Sequence, residues 1–373
     1  MRLFSVYLAS ATAATVLAAG CGQQPIETRS PLYVLVDDGG NLTVDVLNQS
    51  DYRIAGKIVI ASVGDTPPAG AVAAQPNGRV IVTYSGVANA QQLQLKPSTV
   101  ACSLATAQCD TVWSGWGSAT ARTLDDSSVV VPGWDDVHFT SGKLGFFRGH
   151  SSGLLREVAL PQSMPGPVAV SGDGQYAYWL TYAPPQPNQT PEQQLLRVDT
   201  SSGKIIGEVR FGKRLPFDVT VGKDGKVLVS ILYDQAPLRP AEVGAAPGQG
   251  VFGSSVLAFS PDLSSSRVLR VQDGPTLIAA SSSILLVASS TSDVPGIGLY
   301  DLNTGSPLNS PPMPQGWKLS GLYVIRLDTG EEVGVVALDR AAHDHFQLGI
   351  VSLRTGAISW HEYAGQIVGS VAA

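Results

Sequence analysis

Gly172-Asp173-Gly174-Gln175-Tyr176-Ala177-Tyr178 and Gly222-Lys223-Asp224-Gly225-Lys226-Val227-Leu228-Val229 are two copies of one hairpin, and their spacing decides the fold. In each, Asp-Gly separates a strand of small residues from an apolar one, and glycine supplies the positive φ that a tight antiparallel turn needs. Gln75-Pro76-Asn77-Gly78-Arg79-Val80-Ile81-Val82 is a third copy, with Asn-Gly at the corner. A second kind of turn follows alternating strands: Asp199-Thr200-Ser201-Ser202-Gly203, Asp301-Leu302-Asn303-Thr304-Gly305, Arg354-Thr355-Gly356 and, more loosely, Ala105-Thr106-Ala107. Laid end to end, the two turns predict four-stranded units whose first strands begin near Gly70, Ala119, Gly166, Phe217, Thr276, Leu319 and Gly365. The steps run from about 43 to about 59 residues, the range of a propeller blade with its loops.

The last of these starts is followed by one strand only, at 366–371, while the N-terminal part offers three, at 32–36, 41–47 and 54–62. Together they complete a blade, and a ring shut by strands from both termini leaves no free sheet edge. The expectation is therefore an all-β chain, a seven-bladed β-propeller of four-stranded antiparallel blades over 32–373. The competing arrangement is a pair of β-sandwiches, which the regular step disfavours. The Asp-Gly and Asp-Thr-x-x-Gly turns resemble those of the seven-bladed propellers of the YVTN and quinoprotein-like superfamily. That resemblance implies a fold and says little about chemistry.

Composition agrees with many short strands. Of 373 residues only 14% are charged, 44% are hydrophobic, and 40 are Gly and 25 Pro, which disfavours disorder, coiled coil and a helical bundle. The net charge of −6 comes without a basic stripe, so the electrostatic footprint of a nucleic-acid binder is missing.

The first residues read as an address. Arg2 precedes an apolar stretch over 3–19 that ends in Leu17-Ala18-Ala19-Gly20-Cys21, small residues directly before a cysteine. This resembles the bacterial lipoprotein signal, with the favoured Leu one place early. The resemblance implies a leader at 1–20, Cys21 as the lipidated (palmitate-bearing) mature N-terminus and a tether at 21–31. Gly22 after the cysteine resembles the pattern sorted to the outer membrane in diderm bacteria. An uncleaved anchor or an ordinary signal cut nearby is the alternative. No later stretch of the sequence approaches the ~18 apolar residues that span a bilayer, so the expected chain is anchored to the envelope membrane by its N-terminal lipid. In an exported chain Cys102 and Cys109, on two β-rich arms about a short polar turn, are expected to form a disulfide.

In a propeller the loops from second to third strands and those between blades open on one face around the channel. The longest predicted loops, at 183–194, 234–254, 291–296 and 339–346, fall there, and loops concentrated on one rim point to function. Trp116, Trp134, Asp135, Asp136, Arg214, Asp218, Tyr233, Asp234, Trp317, His343 and His345 are the candidate ligand site on that rim, with Lys213 and Asp273 nearby. Aromatics beside carboxylates and bases suit a polar organic ligand. His343-Asp344-His345 has the spacing of two ligands on one side of a strand, but a third convergent ligand is not identifiable, so no metal is assigned. There is no G-x-S-x-G elbow, no Gly-rich phosphate loop opening a helix and no C-x-x-C-H haem attachment, so no cofactor is assigned. The favoured reading is a binding or scaffold module of the cell envelope, its partner an envelope protein or a small polar ligand. The alternative is a lactonase- or hydrolase-like enzyme using Asp135, Asp218, Asp234 and His343. Convergence of those side chains on the channel separates the two.

Overall fold

A computed structural model of the chain describes residues 31–63, 68–75, 78–85, 87–88, 93–95, 98–114, 120–125, 128–133, 141–148, 154–161, 163–183, 192–236, 250–289 and 296–372. Cys21, Trp116, Trp134, Asp135 and Asp136 lie outside them. The described residues form seven four-stranded antiparallel sheets and one two-stranded hairpin. Six sheets follow chain order and form blades 1 to 6. The seventh pairs the C-terminal strand Gln366–Ala372 with Pro31–Asp37, followed outward by Asn41–Asn48 and Ile54–Ser62. The expected closure by both termini is thus the observed one.

The innermost strands of blades 1 to 6 are Gly70–Gln75, Arg122–Asp125, Met164–Val170, Leu215–Val221, Pro275–Ala280 and Trp317–Arg326. They agree with the predicted starts to within three residues. The small displacements have a physical cause: four inner strands carry a register shift near their beginning, at Pro165/Val168, Pro216/Val219, Pro275/Ile278 and Leu319/Gly321. Three of these begin at a proline, which cannot donate to the ladder and so belongs at a strand start or a bulge. Pairing begins before the bulge, where periodicity alone does not look for it.

Seven buried clusters hold the ring, one at each seam between consecutive blades. The strand Glu332–Arg340 of blade 6 shows how: Val333, Val335 and Ala337 pack toward blade 7, Val336 and Leu338 toward blade 5. A strand buried on both faces reads as a continuous apolar run, as Val80–Val82, Val227–Val229 and Leu285–Val287 do. Each fully buried Val or Leu contributes about 1.5–3 kcal/mol. Gly334 keeps this seam tight, since a Cβ there would lie 2.5 Å from Leu286 Cδ2.

The predicted turns do local work at one end of the ring. Asp199 Oδ1 accepts the Ser202 N–H at 2.7 Å, and Asp301 Oδ1 accepts those of Asn303 and Thr304 at 2.9 and 2.7 Å. Gly203, Gly225, Gly305 and Gly356 take positive φ at their corners. Neighbouring blades clasp the same turns: Arg156 Nη1 donates to Thr200 O at 2.5 Å, Arg267 Nη2 to Leu302 O at 2.5 Å and Asn309 Nδ2 to Thr355 O at 3.1 Å. In blade 1, whose turn lacks the aspartate, Cys102 and Cys109 face each other across the hairpin in the expected disulfide.

Candidate functional site

The seven inner strands surround a channel along the ring axis. Gly70, Arg122, Pro167, Asp218, Ile278, Tyr323 and Gly369, one from each inner strand or its bulge, line a cavity of about 470 Å³ at the end where those strands begin. A second cavity of about 550 Å³ occupies the end where they finish, and Arg122, Ile278 and Tyr323 border both. The first mouth belongs to the loop face, the second to the turn face.

The bulges set what the loop-face mouth presents. In Pro216-Phe217-Asp218-Val219 one extra residue puts Phe217 and Asp218 together opposite Ser230 and out of the ladder, so Phe217 is exposed and Asp218 lines the channel. Asp218 Oδ1 accepts the Val219 N–H at 2.8 Å, and Oδ2 accepts the Ile278 N–H of blade 5 at 3.0 Å. Its own N–H donates to Ser230 Oγ at 3.0 Å, and that hydroxyl donates to Thr276 O at 2.7 Å. The carboxylate therefore stitches two blades while facing the channel. Burial pushes it up to about 6, against the pull of the Ile278 N–H, Arg122 and the Val219 N–H.

Two further side chains share this electrostatic neighbourhood. Burial pushes the Tyr323 phenol up to about 12, with Arg122 drawing it down and Asp218 raising it. Tyr182 is raised by burial and by Asp218, and its hydroxyl donates to Phe217 O at 3.3 Å. The Arg122 guanidinium donates to Ala121 O at 2.9 Å. Arg122, Tyr323 and Tyr182 were not among the sequence-predicted residues. The available signal is that Arg122 and Asp218 are charges in inner strands made chiefly of small and apolar residues.

The remaining predicted residues among those described stand apart from the channel. Asp234 lies 3.9 Å from Arg214, and Tyr233 stacks on Phe252 with ring centroids 4.8 Å apart. Lys213 offers its carbonyl to the Ala236 N–H, and Asp273 its carbonyl to the Ser289 hydroxyl. Trp317 begins the inner strand of blade 6 and is packed, half-buried, against the seam with blade 5. His343 Nδ1 sits 2.5 Å from Asp339 Oδ2, where the carboxylate is 7% exposed and the imidazole 49%. Burial raises the Asp339 carboxyl and His343 lowers it, and the buried Oδ1 has no hydrogen-bond partner. His345 is 3.3 Å from Asp344. None of Asp234, His343 or His345 lines either cavity. Among the described residues, no three His, Cys, Asp or Glu side chains are grouped to hold a metal.

No protein-family model and no curated protein matches the sequence. Solved structures match the fold. The β-propeller domain of Cps50 (Swd1) from Myceliophteria thermophila superposes with TM-score 0.54 at 11% identity, over 89% of this chain and 98% of that one. The β-propeller domain of the Trilobed protease from Pyrococcus furiosus, described as having an open velcro topology, gives 0.53 at 13% identity, over 90% and 93%. Kuenenia stuttgartiensis hydrazine synthase gives 0.45 at 14% identity, and this chain spans 64% of its length. At such identities the likeness is one of fold alone: a seven-bladed β-propeller.

Proposed function

We propose that this chain is a lipid-anchored propeller of the cell envelope, exported by the leader at 1–20, held by a lipid on Cys21 and acting as a binding module through its loop face and channel mouth. The observation that carries the reading is the separation of the acid-base candidates among the described residues, Asp135 lying outside them. Asp218 lines the channel with both oxygens engaged by backbone N–H groups, Asp234 pairs with Arg214, and His343 pairs with Asp339. An enzyme of the lactonase or hydrolase kind needs such groups within reach of one reacting atom, and these three are held by different partners at different places. A binding module needs a rigid frame carrying varied side chains at one end, and the clasped blades supply the frame.

The test is expression of the full chain in a bacterial host fed an alkyne-bearing palmitate analogue, followed by membrane flotation. The wild type is expected to take up label and float with the envelope, and Cys21→Ser to do neither. An unlabelled, soluble wild type would overturn the anchoring.

A further inference from the structure

Arg122, Asp218 and Tyr323 belong to the inner strands of blades 2, 4 and 6, so alternate blades bring them to one channel. Arg122 acts electrostatically on Asp218 and Tyr323, and Asp218 on Tyr323, yet among the described residues no ion pair within 4 Å joins Arg122 to Asp218. A cation and a carboxylate thus face the same cavity without closing on each other. Both keep unused bonding capacity. A guanidinium has five N–H donors, and the one hydrogen bond seen here goes to Ala121 O. Each Asp218 oxygen accepts one backbone N–H and retains a second lone pair.

The rest of the wall leaves room. Gly70 and Gly369 present no side chain, and Gly321 lets the Tyr323 phenol lie back along the wall, since a Cβ there would sit 2.3 Å from its hydroxyl. The cavity, about 470 Å³, has the size of a small-molecule site. Its charges select what enters. A simple anion would meet the Asp218 carboxylate, and a simple cation or metal ion would meet Arg122. A phosphate, carrying more negative charge, fits worse than a carboxylate for the same reason. A molecule bearing one carboxylate and one ammonium satisfies both sides, and a guanidinium grips a carboxylate through two parallel N–H···O bonds.

We infer that the channel is a binding site for a small zwitterion of the amino-acid class, its carboxylate on Arg122, its ammonium on Asp218 and the Tyr323 hydroxyl beside them. The site stands independently of the envelope reading, because it uses only residues of the inner ring.

Calorimetric titration of the full chain in detergent with glycine, L-alanine, L-glutamine and L-phenylalanine tests it, with propionate and n-propylamine as single-charge probes. At least one amino acid is expected to bind ten-fold or more tighter than either single-charge probe. Arg122→Gln is expected to weaken that amino acid and propionate alike by at least ten-fold without lowering the melting temperature. Asp218→Asn is expected to bring the amino acid down to the level of propionate. Tyr323→Phe, which removes one hydroxyl, gives a smaller loss and is the fallback if Asp218→Asn does not fold. Failure of all four amino acids to bind, binding no tighter than propionate, or binding retained in Arg122→Gln would each overturn the inference.

Discussion

The two ends of the ring use aspartate in opposite ways. On the turn face, Asp173, Asp199, Asp224, Asp262 and Asp301 each accept backbone N–H groups two or three residues on, and they repeat from blade to blade. On the loop face Asp218, Asp234 and Asp339 each have a different partner: backbone of the next blade, Arg214 and His343. The acidities divide the same way. Hydrogen bonds from Ser201 and Ser202 hold Asp199 down at about 2, and those from Ser260 and Ser264 hold Asp262 down at about 2, whereas burial lifts Asp218 to about 6 and raises Asp339. A carboxylate that recurs with the repeat builds the repeat; one that departs from it is free to serve a site.

Blade 1 is the sharpest place to break this contrast, because its outer turn carries a disulfide where those of blades 3, 4 and 5 carry an aspartate. With a sequence separation of 7, the cross-link removes about 2–3 kcal/mol of unfolded-state freedom. Cys102→Ser/Cys109→Ser is expected to lower stability by that amount in denaturant titrations, the largest effect among these substitutions. A loss below 0.5 kcal/mol would mean the hairpin is held by its ladder alone.

Next in size is the pH response. Burial lifts the folded-state Asp218 carboxyl from the ordinary aspartate value of about 3.9 to about 6, so the folded chain binds its proton more tightly and loses stability as pH rises from about 4 to 6. Asp218→Asn is expected to remove about 1–3 kcal/mol of that fall, read from melting temperatures across the window. Asp199 has the opposite sign. Its contribution is complete above pH 4 and is lost as pH falls toward 2, so Asp199→Asn should flatten the acid limb and leave the pH 4 to 6 limb unchanged. Identical profiles for the two variants would erase the distinction between the faces.

The smallest effect is expected at the rim. His343 is half exposed, so His343→Ala should cost under about 1 kcal/mol while driving the Asp339 carboxyl further up, visible in its carbon-13 shift during titration. A large loss of stability would make the His343–Asp339 pair a structural clasp like those of the turn face.

What was legible in the sequence follows this same division. Gly174, Gly203, Gly225 and Gly305 announce their turns because positive φ at a corner demands a particular residue, and the six steps between seven blade starts add up to a ring. The Cys102–Cys109 pairing follows from its hairpin. The channel was less legible, since Arg122 and Tyr323 converge with Asp218 only once the blades are closed in a circle. The bulge at Phe217-Asp218 is also invisible to alternation, because it breaks the alternation that periodicity counts. Of the predicted rim residues that the structure describes, Asp218 alone lines the channel cavity, and Asp234, His343 and His345 sit at other points.

The account rests on one end of the ring building and the other binding. The direct test is site-specific photo-crosslinking of the full chain expressed in a bacterial host, with the probe placed in turn at Asp234, Phe252 and His343 on the loop face and at Lys204, Asn303 and Arg354 on the turn face. A discrete adduct from the loop-face positions and none from the turn-face positions is the predicted result. The same adduct from the turn-face positions, with the loop face silent, would contradict it.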